Sequence, residues 1–202
     1  MPYSVVVLLN SRAFRAVLAL GLALWVPLPV FGAAPAPEPA AVVPPELSGD
    51  ARKAYNQGLR ETRDLMTRKE YAAATARIDA LLATRPREPQ ARFLKGVAQT
   101  EQGQTAAAIA TFRGLVEDYP ELPEPYNNLA VIYAQKGDYE NARIVLETAI
   151  SAAPDWPVAH ENLGDVYARL AAAQYNRAAA LDKGNQTAPA KLVLVRQLLA
   201  PK

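Results

Sequence analysis

Two nested spacings organise the apolar and small side chains of this chain. The longer is 34 residues: Pro86, Pro120 and Pro154 stand that far apart, and the positions before each repeat in phase. Twelve residues before the prolines come Ala74, Ala108 and Ala142; eight before, Ile78, Phe112 and Leu146; five before, Leu81, Leu115 and Ala149. Within each copy this is helical spacing, with one small and two apolar side chains on one face. Each proline ends its helix, because it has no N–H to continue the ladder. Seventeen residues before the prolines stand Lys69, Gly103 and Gly137, and the two glycines mark a tight turn into that helix. A first helix precedes the turn. Its best copy runs through Tyr126, Leu129, Ala130 and Tyr133, and the next copy offers His160, Leu163, Gly164 and Tyr167 in phase. Gly96, Ala130 and Gly164 read as small residues that let two helices approach. Self-similarity at this period predicts an array of helical hairpins.

After Tyr167 the register fails, and no Gly or Pro lies between Asp165 and Lys183. Alanine, the best helix former, dominates the stretch. We expect one long helix from about Val158 to Asp182, ended by Gly184, with a break near Ala171–Ala173 as the contrary observation. A last helix is expected over 188–199, where Leu192, Val193, Val195, Leu198 and Leu199 alternate with Lys191 and Arg196. Terminal units of such arrays are atypical because they cap an open apolar end.

The pattern resembles the tetratricopeptide repeat. Residues 123–156 carry it most fully, in Tyr126, Leu129-Ala130, Tyr133, Gly137, Tyr139, Ala142, Leu146, Ala149 and Pro154. Residues 89–122 match in their second half, residues 55–88 in their second helix, and a shortened unit occupies 157–185. The resemblance implies an all-α fold, a short right-handed α-solenoid of about three and a half hairpins over 48–199 with a C-terminal capping helix. It also implies a concave groove lined by the first helices, in which a peptide or protein segment lies. By repeat phase the groove would be lined by Arg60 and Arg63, then Phe93 and Val97, then Asn127, Asn128 and Val131, then Glu161, Asn162 and Asp165. Asn128 and Asn162 match in register, and an amide offers both a donor and an acceptor to an extended backbone. The best-formed units lack the lysines and arginines that would grip a terminal carboxylate, so a neutral or basic segment fits better.

Residues 1–32 carry Arg12 and Arg15, no acid, and an apolar run from Ala16 to Val30 broken by Gly21, Pro27 and Pro29. That order reads as a secretory signal, cut between Gly32 and Ala33. The expected location is periplasmic or secreted; the alternative is anchoring to the inner membrane by an uncleaved signal, the one case in which membrane contact is expected. Residues 33–47 hold five prolines among alanines and read as a semi-rigid linker, spanning up to roughly 40 Å at about 3.1 Å per residue. There is no cysteine, so neither a lipid anchor at the cleavage site nor a disulfide is available. Removing Arg12 and Arg15 from the 22 basic residues leaves 20 against 20 acidic ones. No basic stripe stands out, which argues against nucleic acid as a partner.

Candidate chemistry is sparse. The single histidine, His160, begins His160-Glu161-Asn162-Leu163-Gly164, which lacks the second histidine of a zinc-protease helix. It also falls at a core-facing repeat position. No phosphate loop and no nucleophile–His–acid arrangement can be argued, so no catalytic residue, metal or cofactor is expected. The reading is an exported, non-enzymatic adaptor that binds a peptide or protein of the cell envelope in its groove. The alternative is a permanent assembly subunit of an envelope complex, using its convex face or C-terminal helix.

Overall fold

The computed structural model describes residues 48–200, and helices are the regular elements among them. They run α1 (Gly49–Thr67), α2 (Tyr71–Thr84), α3 (Pro89–Glu101), α4 (Thr105–Asp118), α5 (Pro123–Gln135), α6 (Tyr139–Ala152), α7 (Pro157–Leu181) and α8 (Thr187–Leu198). The signal expected over 1–32 and the linker expected over 33–47 lie outside the described residues.

One turn is used three times, between α1 and α2, α3 and α4, and α5 and α6. Lys69 N–H donates to the Met66 carbonyl at 2.9 Å while Glu70 N–H reaches back to Leu65 at 2.9 Å. Gly103 and Gln104 repeat this onto Thr100 and Gln99, and Gly137 and Asp138 onto Ala134 and Tyr133. Crossed bonds of this kind satisfy the last carbonyls of a helix and need a left-handed residue at its end. Gly103 and Gly137 supply it at φ 72° and 77°, and Lys69 is forced into it at φ 60°. The first helices of the later units begin in a second shared way: Pro89, Pro123 and Pro157 stand in the first turn of α3, α5 and α7. There the missing N–H costs nothing and the fixed φ already suits a helix.

The positions read from the 34-residue period are the core. Ala74, Ala108 and Ala142, with Ile78, Phe112 and Leu146, are all 0% exposed, and Leu81, Leu115 and Ala149 are at most 5% exposed. Small residues set how closely a pair of helices packs. A Cβ on Gly96 would meet the Phe112 ring at 2.6 Å, so α3 and α4 touch through a missing side chain. Gly164 departs from the expectation drawn from its register: a Cβ there meets nothing within 4 Å. It has no partner helix because α7 does not turn back on itself.

That helix runs 25 residues from Pro157 to Leu181 without a break at Ala171–Ala173. Ala171 stands in register with Gly137, so the turn residue is gone and the best helix former replaces it. Its end corrects the expectation for Gly184. The helix stops at Asp182, in extended backbone (φ −127°, ψ 106°), and the Asp182 carboxylate accepts from Gly184 N–H at 2.9 Å. Gly184 is not left-handed. The α8 helix then folds back on α7, its one partner among the described helices, with Lys191 over the Tyr175 ring at 5.7 Å and Arg196 reaching Asn176 at 3.4 Å.

Candidate peptide-binding groove

Which helices form the inner surface follows from which ones touch. The first helices α1, α3, α5 and α7 meet in succession, whereas the second helices α2, α4 and α6 do not meet one another. A row in contact beside a row splayed apart curves towards the row in contact, so the first helices line the concave side.

The sequence-derived groove residues take different stations there. Phe93 and Val97, both half-buried, are held from below. The Phe93 and Phe112 rings sit 5.8 Å apart at 58°, and Val97 packs against the core clusters on both sides of α3. Val131 is buried at 8% exposure. Asn162 Nδ2 donates to Asn127 Oδ1 at 2.8 Å, an amide-to-amide hydrogen bond that ties α7 to α5. Asn128 is 8% exposed, and its Nδ2 donates to the Glu124 carbonyl of its own helix at 2.9 Å. The two asparagines that match in register therefore do different things: one braces its own helix, the other bridges two. Glu161 is exposed and Asp165 half-buried.

Val131, Asn162 and Asp165 come together in a recess on the α5–α7 seam, with Ala130, Ala134, Val166 and Arg169 around them and Leu146 beneath. Phe93, Val97, Asn127, Asn128 and Glu161 lie outside it. Arg169 also stacks over the Tyr139 ring, 5.6 Å from its centroid. The repeat phase did not point to Arg169, but its place one turn after Asp165 on the same helix face was legible. The recess offers an apolar floor with an amide, a carboxylate and a guanidinium at its rim.

Charge is graded along the row. At the α1 end Arg60 is exposed, and Arg63 is half-buried, with Nη2 3.5 Å from Gln90 Oε1. Burial first, and then the neighbouring Arg60 charge, pull the Arg63 guanidinium below its ordinary range. Glu161 and Asp165 mark the other end.

The described residues contain no cluster of three or more His, Asp or Glu side chains placed to hold a metal. His160 corrects its expected core position. It is exposed, with Nε2 2.7 Å from the Pro154 carbonyl of the preceding loop. In the preceding unit Tyr126 packs against the core, but over His160 the covering helix is missing. The α8 helix packs at Tyr175 and Asn176, about four turns further along α7.

Family models described as tetratricopeptide repeat match residues 59–123 and 99–170, which together take in more than half of the chain. The chain belongs to the tetratricopeptide-repeat family. Solved structures share its fold. The Sgt2 repeat domain from Aspergillus fumigatus aligns at a TM-score of 0.56 and 20% identity, covering 60% of this chain and 82% of that one. A thermophilic tetratricopeptide-repeat protein of Thermus thermophilus, TTC0263, gives 0.54 and 23%, covering 72% and 83%. The Yersinia enterocolitica type III secretion chaperone SycD, in complex with a peptide of the translocator YopD, gives 0.54 and 18%, covering 64% and 99%. At these identities the likeness is one of fold. No curated protein matches the chain.

Proposed function

We propose that this tetratricopeptide-repeat protein is a non-enzymatic, exported adaptor that holds an extended peptide or protein segment along the concave row α1–α3–α5–α7. The observation that carries the reading is the recess at Val131, Asn162 and Asp165: it lies on the inner row, with polar groups at its rim and an apolar floor. Fold neighbours add support. SycD is solved with a translocator peptide, and the first repeat domain of Spaghetti (RPAP3) is solved with an HSP90 peptide. The segment fits best with apolar side chains on the Phe93–Val97 patch and a basic side chain against Glu161 and Asp165. Cell-envelope residence rests on the signal-like order of residues 1–32. A peptide-array screen tests the groove, with Asn162→Ala/Asp165→Ala as the variant; binding that the variant leaves unchanged rejects it. Sequencing the mature N-terminus tests export, and an intact Met1 in an envelope-free fraction rejects that part. The alternative of a permanent assembly subunit draws on the outer face of α8.

A further inference from the structure

Among the described residues the C-terminal helix packs on one partner, α7, yet carries apolar side chains on two faces. Ala188 and Leu192 are buried against α7 at 4% and 7% exposure, with Val195 half-buried beside them. The opposite face carries Ala190, Val193, Leu194, Gln197 and Leu198, all exposed. Their spacing of three and four residues makes a continuous helical stripe without a charge in it. Val193, Leu194 and Leu198 are 53%, 65% and 71% exposed, and Leu181 at the end of α7 is 71% exposed. Ile144 and Tyr167 are the other two exposed large hydrophobic side chains among the described residues, and both are less exposed, so most such surface gathers at this end. The capping unit of a solenoid ordinarily turns a polar face outward. This one does not.

The charge around the stripe selects its occupant. From residue 169 onward the described residues hold Arg169, Arg177, Lys183, Lys191 and Arg196 against Asp182 alone. No acid lies on α8, and Lys191 and Arg196 border the stripe on its two sides. An antiparallel pairing of two copies would bring cation to cation. A single face about 18 Å long and 10 Å wide also falls well short of the roughly 800 Å² per partner that a stable protein interface buries. A bilayer surface has no such threshold. Attachment grows with the apolar area immersed and with the cations that reach anionic headgroups. No described helix is long and apolar enough to cross a membrane, so α8 would lie in the interface plane.

We infer that α8 docks the end of the solenoid onto an anionic lipid surface, with Val193, Leu194 and Leu198 immersed and Lys191 and Arg196 at the headgroups. This is a membrane contact separate from any made by an uncleaved signal, and it stands independently of the groove. The absence of cysteine allows a local test on the full chain. An environment-sensitive fluorophore is placed at Leu194→Cys and, as a control on α6, at Ile144→Cys. Vesicles of phosphatidylcholine with about 30% phosphatidylglycerol are compared with phosphatidylcholine alone; spin-labelled lipids report contact.

The expected result is a blue shift and lipid quenching at position 194 on the anionic vesicles alone, with position 144 unchanged on both. Lys191→Gln/Arg196→Gln is expected to move the lipid concentration at half-maximum up by about fivefold per charge, roughly 25-fold together. Three results would overturn the inference. They are a position-194 probe that stays aqueous on anionic vesicles, one that responds equally to neutral vesicles, and one already shielded without lipid because a second copy or another protein covers it.

Discussion

Gly96 and Gly164 occupy the same place in two repeat units, and alanine at each is expected to act in opposite directions. Both lie inside helices, where replacing glycine by alanine gains about 0.8–1 kcal/mol from intrinsic propensity. At Gly164 nothing stands within 4 Å of the new Cβ, so that gain is the whole effect. At Gly96 the new methyl would meet Phe112 Cε1 and Cζ at 2.6 and 2.7 Å. Phe112 is 0% exposed, and Phe93 lies against its ring, so it has little room to move. Overpacking of this kind costs about 1–3 kcal/mol, which offsets the propensity gain and leaves a net loss of about 1 kcal/mol. The assay is urea unfolding followed by helical circular dichroism, comparing midpoints at constant slope. Gly164→Ala is expected to raise the midpoint and Gly96→Ala to lower it, a split of about 2 kcal/mol, or roughly 4–8 °C in Tm for a domain of this size. Stabilisation by both substitutions to the same extent would refute the close α3–α4 approach.

Two further substitutions bear on the fold. Lys69 holds a left-handed conformation that glycine holds in the other two turns, so Lys69→Gly is expected to stabilise by about 1 kcal/mol in the same unfolding assay; a loss of stability would mean the side chain does something there beyond enduring strain. The Tyr55 hydroxyl is buried without a hydrogen-bond partner, and burial pushes its phenol up to about 12. Tyr55→Phe is therefore expected to be neutral to stabilising by about 1 kcal/mol at about pH 7. Because the folded pKa lies above the unfolded one, the tyrosine's contribution is intact below about pH 10 and lost as pH rises towards 12, so wild type falls off more steeply there than Tyr55→Phe. Parallel pH profiles would contradict the burial argument.

Much of this architecture was legible because each second helix announces itself with a small, an apolar and another apolar or small residue at fixed distances from a proline. Those residues, Ala142, Leu146 and Ala149 in the best copy, became core, and the long α7 followed from the missing glycine at Ala171. The same register misled where it was carried into the first half of α7. His160 and Gly164 were given a packed environment by analogy with Tyr126 and Ala130, but no second helix folds over them. The groove was legible as a set of positions and not as a set of free groups: phase put Asn128 and Asn162 in line, whereas hydrogen bonding commits one to Glu124 and the other to Asn127. The apolar residues of α8 were visible too. Which of them would be covered depends on where α7 stops, and Asp182 decides that rather than Gly184.

Isothermal titration of the full chain with a peptide chosen from the array, repeated with Asn162→Ala/Asp165→Ala and with Val193→Ser/Leu194→Ser, decides whether the concave row holds the segment. Groove binding predicts a saturable isotherm that the Asn162/Asp165 variant weakens about tenfold or more while it keeps its helical circular dichroism, and that the α8 variant leaves unchanged. Binding lost in the α8 variant and kept in the groove variant would contradict it.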